Sequence, residues 1–443
     1  MISSPIHFWR PLLGLALIGG ALAEEDPSPG ETEFQRVLSS FGQINTIAGN
    51  GAADNCNDWN SATMEGGQAT GADLSRPHMA QADAAGNVYI ADKEGHAIRL
   101  VKPDGTIHTI AGSGVRGNGG EGVATSIALR EPNGLYTFPD GTTYILETDD
   151  ECDVGPIAGG KIRRLGTDGM LTTVIDDPEL LAGRGLWVSP DESLIYYCSW
   201  KTVKKWTASG GLETFASGFG LLGPEGLGNL DIDPLTGLVC VTDRADHVVY
   251  RLSADGSTRT VIAGNGNQGS GIEGGLATNS PLDQVRGIAF RPDGSFFVCT
   301  HKGDHAVWFI DTAGRIWKFI DGDNKAHFGD GISIGQRLPN MISEPRAVTI
   351  APNGDLLITE NDDGYIRRIT NLCIEPVISE VKREPGSLTI TWTSQREGSY
   401  RVEESRDLRA WTPALDVETG NGPTTTVTVG TGDDHGFVRV VQD

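Results

Sequence analysis

The chain has 443 residues, with 59 acidic against 35 basic side chains and a net charge of −24. Nucleic acid and anionic lipid both require a cationic surface, so neither fits as a general partner. The length exceeds one ordinary domain.

Residues 1–23 read as a secretory signal. Arg10 supplies the positive flank, PLLGLALIGGAL (11–22) is the apolar stretch, and Ala21-Leu22-Ala23 fits the small-x-small cleavage rule. At about 12 residues the apolar run is too short to cross a bilayer. A secreted or periplasmic protein cleaved near Ala23 is therefore expected, and no later segment is long or apolar enough to span a membrane. Residues 24–43 form an acidic, proline-containing leader, with 24–33 expected to be disordered.

From residue 44 onward one phrase recurs six times: an apolar strand, a Pro-Asp-Gly-like turn, then a second strand. Its turns read DAAGNVYIAD (83–92), FPDGTTYILE (138–147), SPDESLIYYC (189–198), DPLTGLVCVTD (233–243), RPDGSFFVCT (291–300) and APNGDLLITE (351–360). Turn positions 86, 141, 192, 237, 294 and 354 lie 45 to 60 residues apart, the spacing of a solenoid or propeller. Third strands follow, as in AIRLV (97–101) and YIRRI (365–369). Only five units have a fourth strand after them; the sixth candidate, INTIAG (44–49), precedes the first unit. Pairing INTIAG with YIRRI would close the ring and hide both sheet edges. The expectation is an all-β protein: a six-bladed β-propeller over 44–372, closed by an N-terminal strand. Residues 373–443 alternate apolar and polar at period two, as in SLTITWTS and TTTVTVG, and read as a small β-sandwich-like domain.

The phrase GNVYIADKEGHAIRLVKPDGTIHTIAG (86–112) resembles the NHL repeat, and the resemblance extends over roughly 44–370. It implies an exported bacterial propeller. The eponymous histidine falls at His96, His247 and His305, where a shared repeat position argues for pinning a loop. The inserts MEGGQAT (64–70), GEGVATS (120–126) and IEGGLAT (272–278) resemble the family's glycine-rich insert and are expected to crowd one face of the disc. The C-terminal domain is similar to fibronectin-III-like modules, with Trp392 in its core, and such modules serve as attachment or spacer units.

Two GxGxxG matches, GSGVRG (112–117) and GNGNQG (264–269), open no long apolar-periodic helix and are read as inter-blade loops rather than nucleotide sites. Six cysteines in an exported chain suggest disulfides. Cys198, Cys240 and Cys299 nonetheless lie inside second strands, where buried free thiols are common. Cys56, Cys152 and Cys373 are the candidates for bridging. Acidic residues Glu147, Asp149, Asp150, Asp243 and Glu360 are candidate calcium ligands by residue type.

The geometry of antiparallel strands gives a sharper pattern. The start of each first strand and the end of each second strand share one end of the disc. The inner column there is His78, Asn133, Arg184, Asn229, Arg286 and Arg346; the second is Asp92, Glu147, Cys198, Asp243, Thr300 and Glu360. Three arginines at the mouth of a channel suit a carboxylate or phosphate. Internal pairing competes: Arg346 is expected to face Glu360, with Asn133 facing Glu147 and Asn229 facing Asp243.

These columns favour a non-catalytic binding propeller, a monomer that recognises a protein, peptide or carbohydrate through its glycine-rich loop face and arginine-lined mouth. The alternative is a calcium-dependent lactonase or esterase, since PNGLYTFPDG (132–141) and GRGLWVSPDE (183–192) resemble the inner strands of gluconolactonase-type propellers. That family holds its metal on Glu, Asn and Asp side chains. Here Asn133 and Asn229 match in type, while arginines stand where carboxylates would. A zinc lyase of the peptide-amidating kind would need three histidines at the channel, and the inner column holds only His78.

Overall fold

The computed structural model describes residues 32–52, 64–148, 159–323 and 327–372, and then the strands 378–384, 387–393, 399–405, 412–419, 424–430 and 437–442. Residues 31–373 form one compact unit, and those from 374 onward belong to a second. The signal segment, Asp149, Asp150, Cys56, Cys152 and Cys373 lie outside the described residues.

The larger unit is a six-bladed β-propeller. In the first blade Pro77–Ala82, Val88–Asp92, Ala97–Val101 and Ile107–Ala111 pair in sequence order as an antiparallel sheet. The remaining innermost strands are Pro132–Thr137, Leu186–Val188, Leu227–Ile232, Val285–Phe290 and Pro345–Ile350. Each touches the innermost strands of two other blades, which closes the ring. Second strands such as VYIAD (88–92) and FFVCT (296–300) are buried at every residue, because each sheet is packed on both faces. Cys198, Cys240 and Cys299 are buried free thiols in this layer.

The turn between first and second strands is left-handed at the same place in all six blades. Gly86, Gly141, Gly237, Gly294 and Gly354 have φ between 68° and 91°, and Glu192 has φ 57°. Glycine takes this conformation without strain. Glu192 is held instead by its carboxylate, which accepts hydrogen bonds from the Tyr144 hydroxyl and Arg164 Nε, each at 2.5 Å.

The sixth blade takes its outermost strand from the N-terminal side. Phe41–Ala48 runs antiparallel to Tyr365–Asn371, with Ile44 opposite Ile369 and Thr46 opposite Arg367. Ahead of it, Thr32 and Gln35 form a capping box on the helix Glu33–Ser39. Phe34 and Val37 bury its apolar side, and the Phe34 ring stacks on Trp317 at 5.2 Å. The stretch 33–43, read above as leader, is thus part of the propeller unit. Its Phe34, Val37 and Leu38 recur at helical spacing, which the acidic residues before them obscured.

The glycine-rich inserts also differ from expectation: they run along outermost strands. Ala69 N donates to Gly105 O at 2.8 Å, Ala124 N to Gly169 O at 3.0 Å, and Ala277 N to Gly314 O at 2.9 Å. Acidic side chains complete the cover. Thr109 N donates to Glu65, Thr173 N to Glu121 and Thr46 N to Asp330, each at 2.8 Å. An outermost strand otherwise presents open amides, so these inserts protect sheet edges. The third and fourth blades are reached by short connections without such an insert.

In the second unit, Ile378–Glu384, Ser387–Thr393 and Thr424–Gly430 form one three-stranded sheet, and Thr412–Thr419, Ser399–Ser405 and Phe437–Gln442 another. Ile390, Trp392, Tyr400, Val402, Val429 and Val440 form its apolar cluster.

Candidate functional site: the channel mouth

A shared backbone irregularity aims the inner column. In the first blade Pro77 pairs with Asp92 and Met79 with Ala91, so His78 is left over in a bulge. Asn133, Arg286 and Arg346 occupy the same kind of shift, between Pro132 and Gly134, Val285 and Gly287, and Pro345 and Ala347. Asn229 lies in the shift between Leu227 and Leu230. Arg184 stands just ahead of its strand. A bulge frees one residue from the ladder and redirects its side chain. All six inner-column residues are buried.

The structure brings several of them together. His78 Nδ1 is hydrogen-bonded to Asn133 Oδ1, and Arg184 Nη1 lies 3.5 Å from the same nitrogen. Arg346 Nη2 donates to Asn361 Oδ1, and Asn361 Nδ2 donates to Pro77 O at 3.0 Å. Arg346 Nη2 also stands 3.9 Å from Asp362.

The second column turns away from the mouth, and this overturns the in-blade pairings expected above. Glu360 is not the partner of Arg346; it forms a 3.0 Å ion pair with Arg367 and accepts from Ser343 N and Oγ. Glu147 pairs with Arg163 at 3.3 Å and accepts from Arg130 N, so Asn133 does not depend on it. Asp92 pairs with Arg99 at 3.0 Å. Asp243 accepts from the amides of Gly220, Ala245 and Asp246. Strand alternation explains the error: a step of one residue moves a side chain to the other face.

The same contacts bear on calcium. Glu147, Asp243 and Glu360 are each engaged within their own part of the ring, and they do not converge on a common point. Among the described residues, no three His, Cys, Asp or Glu side chains are placed to hold a metal ion. Glu147, Asp243 and Glu360 thus do not form a shared donor set, and Asp149 and Asp150 lie outside the described residues.

Arginines crowd the buried part of the mouth, with the acids Glu344 and Asp362 on its rim. Burial, followed by repulsion from Arg346, Arg244 and Arg184, holds the Arg286 guanidinium well below its ordinary pKa. Arg346 is lowered to about 9 by burial and then by Arg184 and Arg244. His78 is held well below the usual imidazole range by burial, then by Arg346, Lys93 and Arg184. His301 is lowered for the same reasons, burial first and Arg286 next. Both histidines are therefore neutral at pH 7. Nε and Nη1 of Arg286 have no hydrogen-bond partner, and the carboxylates that attract it, Glu344 and Asp362, make no ion pair with it among the described residues. On the rim, burial and then Asp362 raise Glu344, which lies 3.8 Å from His301.

Arg244, His301, Asn361 and Asp362 are mouth residues that the column reading missed. They follow the second strand by one or two positions. The signal was available in the repeat, one step beyond the column chosen. The repeat histidines His96, His247 and His305 sit in left-handed turns, and His247 Nδ1 accepts from Gln284 N at 3.1 Å.

No known family's sequence profile matches the chain. Teneurin-m of Drosophila melanogaster is 25% identical over 327 residues, which cover 69% of this chain. The match spans about a tenth of that relative's length, 10%. Among solved structures, a protein of unknown function from Bacteroides thetaiotaomicron superposes with TM-score 0.57 at 13% identity, covering 74% of this chain and 76% of that one. The fold is what they share. Auxiliary nutrient binding proteins from Bacteroides thetaiotaomicron and Bacteroides ovatus superpose at 0.54 and 0.53, with the same identity and coverage.

Proposed function

We propose that this chain is an exported, non-catalytic binding propeller whose mouth takes up an anionic group of a protein, peptide or glycan ligand. Arg286 carries the reading. It is 5% exposed, two of its nitrogens lack partners, and the arginines around it repel it, while the rim acids Glu344 and Asp362 attract it only from beyond ion-pair distance. An unpaired buried charge is costly, and a bound anion favours the protonated guanidinium. The arrangement is best relieved by an incoming carboxylate or phosphate, which the guanidinium fork suits. The placement of five inner-column residues at bulges supports the same reading, because bulges re-aim side chains toward sites. Two fold neighbours are auxiliary nutrient binding proteins, a role of the same broad class. The NHL-like phrase and the appended C-terminal unit, read as an attachment module, fit an exported scaffold. No helix among the described residues is long and apolar enough to cross a membrane.

The test is thermal stabilisation of the purified protein by glutarate, glucuronate and phosphate. At least one anion should raise the melting temperature, and Arg286→Gln should abolish that response while leaving the circular dichroism spectrum unchanged. Wild-type protein indifferent to all three anions would overturn the proposal.

A further inference from the structure

The rim of the mouth between the third and fourth blades differs from the rest. The third blade turns from its second to its third strand through Trp200, which is 39% exposed with φ 47°. A bulky residue in this region is an outlier that glycine or asparagine would occupy with less strain. The connection to the fourth blade adds Leu221 at 72% exposure and Leu222 at 68%. The backbone that carries the two leucines is held by hydrogen bonds. Lys201 Nζ donates to Gly220 O at 2.6 Å and Gly223 O at 2.9 Å, and Leu222 N donates to Asp246 at 2.9 Å.

The backbone of this patch runs close to that of Arg286. Leu227 N donates to Trp200 O at 2.7 Å. The next residue, Gly228, comes so close to the fifth blade that a Cβ there would fall 2.5 Å from Arg286 O. Two consecutive residues thus bridge the backbone of Trp200 to that of Arg286, a separation on the order of 10 Å. An extended chain of about three residues covers that distance.

We infer that the ligand is an extended peptide whose carboxylate enters beside Arg286 while an apolar side chain, about three residues away, lies on Trp200, Leu221 and Leu222. The inference rests on the anion-binding reading of the mouth and adds the partner's class. Charge complementarity selects the carboxylate. The two leucines beside the tryptophan favour an apolar side chain over a sugar, whose hydroxyls need polar partners that leucine cannot supply.

Titration calorimetry with the full chain tests it, using acetyl-Leu-Gly-Gly-Asp-amide, acetyl-Gly-Gly-Gly-Asp-amide, acetyl-Leu-Gly-Gly-Asn-amide, glutarate and trigalacturonate. The first peptide should bind at least tenfold tighter than the second, the third should lose the same factor or more, and Arg286→Gln should abolish binding. Trp200→Gly, with Leu222→Ser as a second variant, should remove the leucine's tenfold advantage. It should leave glutarate binding intact and hold or raise the melting temperature. Equal affinity for the leucine and glycine peptides, or tighter binding of trigalacturonate than of the leucine peptide, overturns the peptide inference while glutarate binding keeps the anion reading. Loss of every anion response would defeat both.

Discussion

Two sets of buried arginines stand a few residues apart in the same repeat and meet opposite fates. Arg99, Arg163 and Arg367 rise from third strands and are 1% exposed or less, and each faces a carboxylate at the end of the neighbouring second strand. Arg286 and Arg346 start first strands, are buried to nearly the same degree, and crowd against other arginines; Arg346 meets Asp362 only at 3.9 Å, and Arg286 meets no carboxylate at ion-pair distance among the described residues. The first set uses charge to lock a blade. The second holds charge in reserve. Burial alone therefore does not identify a structural arginine; what decides is whether the chain supplies the counter-charge.

The contrast can be broken from either side. Removing the acid from a locked pair should have the largest effect: Glu360→Gln costs Arg367 and Ser343 their charged acceptor, leaves Asp330 at 2.9 Å as the counter-charge of Arg367, and should lower unfolding free energy by about 3 kcal/mol in urea titrations. A fully tolerated Glu360→Gln would show that the locks are ornamental. Arg286→Met should act in the opposite direction, raising stability by roughly 2 kcal/mol because an unpaired buried charge is replaced by an apolar side chain. A large destabilisation would mean that Arg286 has an internal counter-charge after all.

Acidity offers a third probe. A bound anion favours the protonated guanidinium, and Arg346 discharges near pH 9. Anion affinity should therefore fall as pH rises through 9, by at most about tenfold per unit for each guanidinium that loses its proton. An affinity constant from pH 7 to 10.5 would remove Arg346 from the site. Smallest is the rim: Trp200→Gly relieves a left-handed bulky residue and should stabilise the fold by about 0.5–1 kcal/mol. A stability loss there would make Trp200 a packing residue.

Much of this was legible in the sequence because propeller repeats write the same physics six times. The closing strand Phe41–Ala48 followed from a missing fourth strand. The burial of Cys198, Cys240 and Cys299 followed from their place in fully packed second strands. The inner column was found by register, and five of its residues proved to be bulge positions. The partners of those residues were not legible. Whether Glu360 meets Arg346 or Arg367 depends on which face of a strand it leaves from, and the bulge between Pro345 and Ala347 shifts that count by one. The inserts were misplaced for a related reason: GEGVATS shows its glycines in sequence, while the outer strand whose amides it covers lies in the following blade.

The strand Phe41–Ala48 also sets a timetable. During synthesis it leaves the ribosome before any blade exists, and its partner Tyr365–Asn371 emerges only after the other five blades. For that interval the nascent chain carries an apolar strand, with Ile44 unburied, and an unclosed ring whose two ends present open amides. Closure is then a contact between distant parts of the chain, which is slow to form. The wait is also the period when an intermediate is prone to pair with the wrong partner. A propeller sealed by its earliest strand thus obtains a closed ring, and its synthesis must pass through a stage in which that ring is open.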